Sequence, residues 1–94
     1  MQKTLDPRMK KLLDSAIEKN ASDIHLTVGV APTIRVDGKL SPIAEEGVLT
    51  PETIDPLIQS FMTDEQLERL KVRKELDFSF GYRNTRFRTN AYFQ

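Results

Sequence analysis

The sequence predicts an α+β domain in which helices pack on one face of an antiparallel sheet. Three observations carry that prediction. Apolar residues recur at helical spacing in three segments, they alternate with polar residues in five others, and cap, proline and Asp-Gly signals punctuate the boundaries. The resulting order is helix, three strands, two helices, two strands.

Asp6-Pro7 opens the first helix, because the cap carboxylate can accept orphan backbone N–H groups and proline has none to leave unpaired. Met9, Leu12, Leu13, Ala16 and Ile17 then form one apolar stripe, on a helix that ends near Asn20. From Asp23 to Val28 the period changes to two, with Ile24, Leu26 and Val28 on one face and Asp23, His25 and Thr27 on the other. Thr33 to Val36 resumes the alternation. Asp37-Gly38 supplies the positive φ angles of a type I′ turn, so residues 39–43 fold back as the second arm of a hairpin.

Thr50-Pro51 repeats the cap-then-proline signal before the stripe Ile54, Leu57, Ile58, Phe61 and Met62. Pro56 leaves two starts open for this helix, one capped by Thr50 and one by Asp55. Thr63 and Gln66 form a capping box that starts a third helix running toward Lys74. Phe78, Phe80 and Tyr82 then alternate with Asp77, Ser79 and Gly81. After a polar turn at residues 83–85, Phe87, Thr89, Ala91 and Phe93 alternate with Arg86, Arg88, Asn90 and Tyr92. The chain stops within this last strand pattern. The expectation is therefore a fold truncated before its final strand, with an outer row of unpaired backbone groups on the strand that ends at Phe93.

Composition bounds the function. Fourteen basic and fourteen acidic residues cancel, which argues against a nucleic-acid binder held by long-range attraction to phosphates, even though Tyr92 shares a strand face with Arg86 and Arg88. Every charged residue between Glu45 and Glu68 is acidic, and Arg69, Lys71, Arg73 and Lys74 follow; both runs fit solvated helical faces. With no cysteine there is neither a disulfide framework nor a thiolate zinc site. No apolar run approaches the ~20 residues of a membrane span, and the charged start is not that of a signal peptide, so a soluble cytoplasmic domain is expected.

Self-contained nucleotide hydrolysis is not expected, since the four glycines are isolated and no Gly-Lys-Ser or Gly-Lys-Thr triplet occurs to cradle phosphates. His25 is the single histidine; with Asp23 it makes two ligands, too few for a secure metal site, so no metal site is assigned. Arg86 and Arg88 stand side by side on one strand face. They could present forked donors to a phosphate, or they could simply be solvated and paired with carboxylates such as Asp77.

Three stretches carry a family likeness: Ala21-Ser22-Asp23-Ile24-His25-Leu26-Thr27-Val28-Gly29, Pro32-Thr33-Ile34-Arg35-Val36-Asp37-Gly38-Lys39-Leu40, and Glu75-Leu76-Asp77-Phe78-Ser79-Phe80 leading to Arg86-Phe87-Arg88-Thr89-Asn90. In this order and spacing they resemble the opening domain of the PilT-type retraction ATPases of type IV pili, within the secretion ATPase superfamily. The resemblance implies that residues 1–94 are a PAS-like N-terminal domain and that a RecA-like ATPase core, with its Walker motifs, lies outside these residues. It further implies ATP and Mg in the full-length protein, none in these residues alone, and a cytoplasmic homo-hexamer at the pilus machine of the inner membrane. In such motors the N-terminal domain packs over the core's nucleotide, and the resemblance assigns Arg86 and Arg88 to the phosphates. Pilus extension and type II or IV secretion ATPases share the architecture and are the alternative within the superfamily. A free-standing PAS-like sensor enclosing a small ligand is the alternative outside it.

Overall fold

The computed structural model describes residues 4–93. Helix α1 (Pro7–Glu18) is followed by strands β1 (Asp23–Thr27), β2 (Thr33–Val36) and β3 (Lys39–Pro42), a single 3-10 turn (Ala44–Glu46), helices α2 (Pro51–Gln59) and α3 (Asp64–Arg73), and strands β4 (Glu75–Tyr82) and β5 (Thr85–Tyr92).

The helix ends follow local chemistry. The Asp6 carboxylate accepts the Arg8 N–H at 2.8 Å. At the far end Asn20 takes a left-handed φ of 59°, which lets the Ala21 N–H reach the Ala16 carbonyl at 2.8 Å and the Asn20 N–H reach Ile17 at 3.0 Å. Of the two starts open for α2, the structure takes Thr50, whose hydroxyl accepts the Thr53 N–H at 3.2 Å while Thr53 returns the bond to the Thr50 N–H at 2.8 Å. Pro56 therefore lies inside the helix and leaves the Glu52 carbonyl without its usual donor. Both residues are exposed, so water can take that carbonyl. Thr63 and Gln66 close the expected box on α3 at 3.1 and 3.0 Å.

Asp37 and Gly38 have φ of 51° and 78°, the type I′ turn expected between β2 and β3. Arg83 and Asn84, at 49° and 62°, make a second two-residue turn of the same hand. Thr85, expected in that turn, instead begins β5 opposite Tyr82.

The strand order is β3-β2-β1-β5-β4. Two expectations need correction here. The sheet is mixed rather than antiparallel throughout, because β1 and β5 run parallel, with Ile24 beside Thr89 and Leu26 beside Ala91. The open outer row expected on the last strand is also not there: β5 is bonded to β1 on one side and to β4 on the other, so the sheet edges are β3 and β4. The physical reason is burial. The inward residues of β5, Phe87, Thr89 and Ala91, are all at most 1% exposed, whereas all four residues of β3 are exposed. The β2–β3 hairpin, two helices and β4 separate β1 from β5, which is ample length for the crossover a parallel pair requires.

Ile24, Leu26, Ile34, Phe87 and Ala91 point from the sheet into one core with Met9, Leu12, Leu13 and Ala16 of α1, Ile54, Leu57 and Ile58 of α2, and Leu70 of α3. Helices thus cover one face only, as expected. Phe61 caps this layer, its ring 5.9 Å from Phe78 and 5.1 Å from Phe80.

Asp14 ties α1 to the β4–β5 turn. Its Oδ1 accepts the Tyr82 hydroxyl at 2.8 Å and the Arg83 guanidinium at 3.1 Å, and its Oδ2 lies 3.4 Å from Lys10 Nζ. The Tyr82 hydrogen bond, joined by those of Arg83 and Lys10, holds the Asp14 carboxyl below its ordinary value of 3.8, while burial and the Asp14 bond raise the Tyr82 phenol. A depressed carboxylate contributes stability that is present above the unfolded value and lost as pH falls through the folded one. Asp14→Asn is therefore expected to lower the thermal midpoint at neutral pH, with the gap to wild type closing below pH 3.8. Thermal melts across that range check this; a gap that does not change with pH would remove the ionic tie.

Candidate functional site

Alternation that sends apolar residues inward sends a polar set to the opposite face of the sheet, which no helix covers. Register fixes who stands beside whom. Asp23 on β1 lies between Arg35 on β2 and Arg88 on β5, and Arg88 lies opposite Ser79 on β4. One step along, His25 lies between Thr33 and Asn90, and Asn90 faces Asp77. Arg86 lies opposite Gly81.

Arg86 and Arg88, the two residues expected to meet phosphate, share this face as their spacing implied, but the structure puts them in different states. Arg88 is engaged: its Nη2 donates to Asp77 Oδ2 at 2.7 Å and its Nε lies 3.2 Å from each carboxylate oxygen. This pairing holds the Asp77 carboxyl below the ordinary carboxylate range and raises the Arg88 guanidinium. Arg86 has no carboxylate within 4.0 Å among the described residues; its Nε donates to Ser79 Oγ at 3.0 Å. Its guanidinium lies over Gly81, where a Cβ would meet Nη1 at 3.1 Å, so the absence of a side chain there leaves the room Arg86 occupies.

Asp23 is 9% exposed and is held by Ser22 Oγ at 2.6 Å and by Arg35 Nε at 3.8 Å. It anchors the strands rather than offering a free carboxylate. Arg35, which in turn donates to the Gly38 carbonyl at 3.1 Å, was not among the residues singled out in the sequence, although the Asp37-Gly38 hairpin brings it to the face of Asp23. The Nε2 of His25 is buried and has no hydrogen-bond partner among the described residues. Among the described residues no three acidic, histidine or cysteine side chains converge to hold a metal ion. A partly open hollow between α2, α3 and Phe93 holds about 150 Å³, and a wider, more open one along α1 about 470 Å³. Among the described residues, no helix is long and apolar enough to cross a membrane.

No protein-family model matches the sequence. The chain is 38% identical over 85 residues to the type IV pilus retraction ATPase PilT of Pseudomonas aeruginosa, which spans 89% of this chain and 24% of that protein. It is 31% identical over 86 residues to the type IV pilus ATPase PilU of the same organism, spanning 90% of this chain and 22% of that protein. Among solved structures, the pilus retraction motor PilT with bound ADP matches with a TM-score of 0.66 and 40% identity, over 87% of this chain and 24% of that one.

A three-helix, five-strand α+β fold with this degree of identity makes the chain a homologue of one domain of the type IV pilus ATPases. It spans about a quarter of the length of those relatives. Within that class it is a PilT-like N-terminal domain.

Proposed function

We propose that residues 1–94 serve as the PAS-like N-terminal domain of a hexameric PilT-like ATPase that powers type IV pilus retraction and twitching motility. The observation that carries this reading is the agreement of both sequence and fold, over 87% of the chain, with a retraction motor solved with ADP bound. In this reading ATP and Mg belong to a RecA-like core. The described residues contain no phosphate loop and no metal-binding cluster, so what they can supply to a nucleotide is positive charge.

The uncovered sheet face is where that charge lies. Arg86 presents a guanidinium with no ionic partner among the described residues, on a strand paired on both edges. Brought over the nucleotide by domain closure, it stabilises charge on the transferring phosphoryl group and links closure to hydrolysis. The motor works in the cytoplasm against the pilus machine at the inner membrane, with the core of its own chain and neighbouring subunits as partners. The 38% identity to a protein named as a retraction ATPase supports retraction as the activity of the parent chain in this reading.

In the full-length parent chain, Arg86→Ala is expected to lower the ATPase kcat about five- to tenfold while hexamers still assemble. Steady-state turnover alongside sedimentation checks both. Undiminished turnover in the assembled variant would reject the role of this face.

A further inference from the structure

Asp77 is at odds with a face that only attracts phosphate. A carboxylate beside an arginine cancels much of the charge an incoming anion would feel. Yet Asp77 stands at hydrogen-bond distance from Arg88 in three atom pairs, the shortest 2.7 Å, while Arg86 two residues away has only the Ser79 hydroxyl. Arg88 carries a second carboxylate on its other flank, Asp23, but that one is already held by Ser22 and Arg35. Asp77 is thus the exchangeable partner. Its side chain is 40% exposed and that of Arg88 is 71% exposed, so water and ions reach the pair and it can open without disturbing the core.

We propose that Asp77 is an internal counter-anion that sets the specificity of this face: it withholds Arg88 from weakly charged anions and yields it to a polyphosphate chain already engaged by Arg86. The proposal rests on the reading that this face meets phosphate, and it adds which anions are admitted. Arg86 receives the first phosphoryl group because no carboxylate among the described residues competes for it. Arg88 follows only when a ligand already held at Arg86 brings a second phosphoryl group within reach, since exchange costs the pairing with Asp77 and gains a forked contact to phosphoryl oxygens. The freed Asp77 faces, across the β4–β5 ladder, Asn90, whose side-chain amide makes only a long 3.5 Å bond to Glu75 Oε1 and has a second N–H to offer. Both guanidiniums then lie on one chain of phosphates, and a lone phosphate is passed over.

Tripolyphosphate and orthophosphate titrated into the 94-residue chain test this by calorimetry and by the arginine Nε–Hε resonances, in wild type, Asp77→Asn, Arg86→Ala and the double variant Asp77→Asn/Arg88→Ala. Asp77→Asn is expected to tighten tripolyphosphate binding about three- to tenfold and to narrow the preference over orthophosphate. The double variant should lose that gain, and Arg86→Ala should weaken binding on its own. An unchanged affinity in Asp77→Asn, with Arg86→Ala still weakening binding, overturns the counter-anion role and leaves the phosphate-facing reading standing. If neither substitution alters binding, both fail. Asp77 is a surface residue, and matching thermal melts establish that its variant folds.

Discussion

Phe87→Ala is expected to destabilise the domain by about 3–5 kcal/mol, enough to use up much of the stability available to so small a core. Phe87 is 0% exposed and sits on β5, opposite Phe80 of β4, while on the other edge the pairing with β1 starts at the next residue, Arg88, whose N–H donates to the Ser22 carbonyl at 3.1 Å. Removing the ring leaves a cavity whose backbone wall is bonded on both sides. That wall cannot collapse inward without breaking two ladders, so the cost falls toward the upper part of the range. Phe87→Leu keeps most of the volume and is expected to cost less than about 1.5 kcal/mol. Urea unfolding of the three proteins gives the comparison. If alanine and leucine cost the same, β5 does not occupy the centre of the sheet.

Thr89→Val should act in the opposite direction, stabilising the domain by about 1–2 kcal/mol. Thr89 is 1% exposed and its Oγ1 has no hydrogen-bond partner among the described residues. Valine has nearly the same shape and the same β-branched preference for a strand, so the exchange removes a desolvated hydroxyl and adds no strain. The urea midpoint should rise with the slope unchanged. A lower midpoint would mean that the hydroxyl has a partner in solution, and an internal water bridging Oγ1 to a neighbouring carbonyl would be the first place to look. Thr89 lies on the strand that carries Arg86 and Arg88 but points to the opposite face, so phosphate binding should not respond to it.

Much of the candidate site is legible in the sequence. Alternation along β5 put Arg86 and Arg88 on one face, and the same rule along β4 named Asp77 as a carboxylate within their reach. Their unequal states were not legible. Which arginine reaches Asp77 depends on a register that places Arg88 opposite Ser79 and Asp77 opposite Asn90, and the two-residue turn at Arg83-Asn84 sets it. A three-residue turn there would have shifted every pair by one. The Asp14 tie to Tyr82 and Arg83 left no trace in the sequence at all, because it joins residues 68 and 69 positions apart through side chains that each look like ordinary surface groups.

By itself the sequence determined what local chemistry controls: the Asp6 and Thr63 caps, the Asp37-Gly38 turn, the helical stripes and the inward faces of β1, β4 and β5. Each is settled within a few residues, by backbone groups that need partners and by side chains that must all point one way. Only the tertiary structure decided which strands are neighbours. A period of two says which side of a strand is buried and nothing about what lies beside it, and the choice was made by the burial of Phe87, Thr89 and Ala91 at the sheet centre. That choice set β5 parallel to β1 and bonded it on both edges. It also brought Asp23 between two arginines and left Arg86 on the uncovered face without an ionic partner among the described residues.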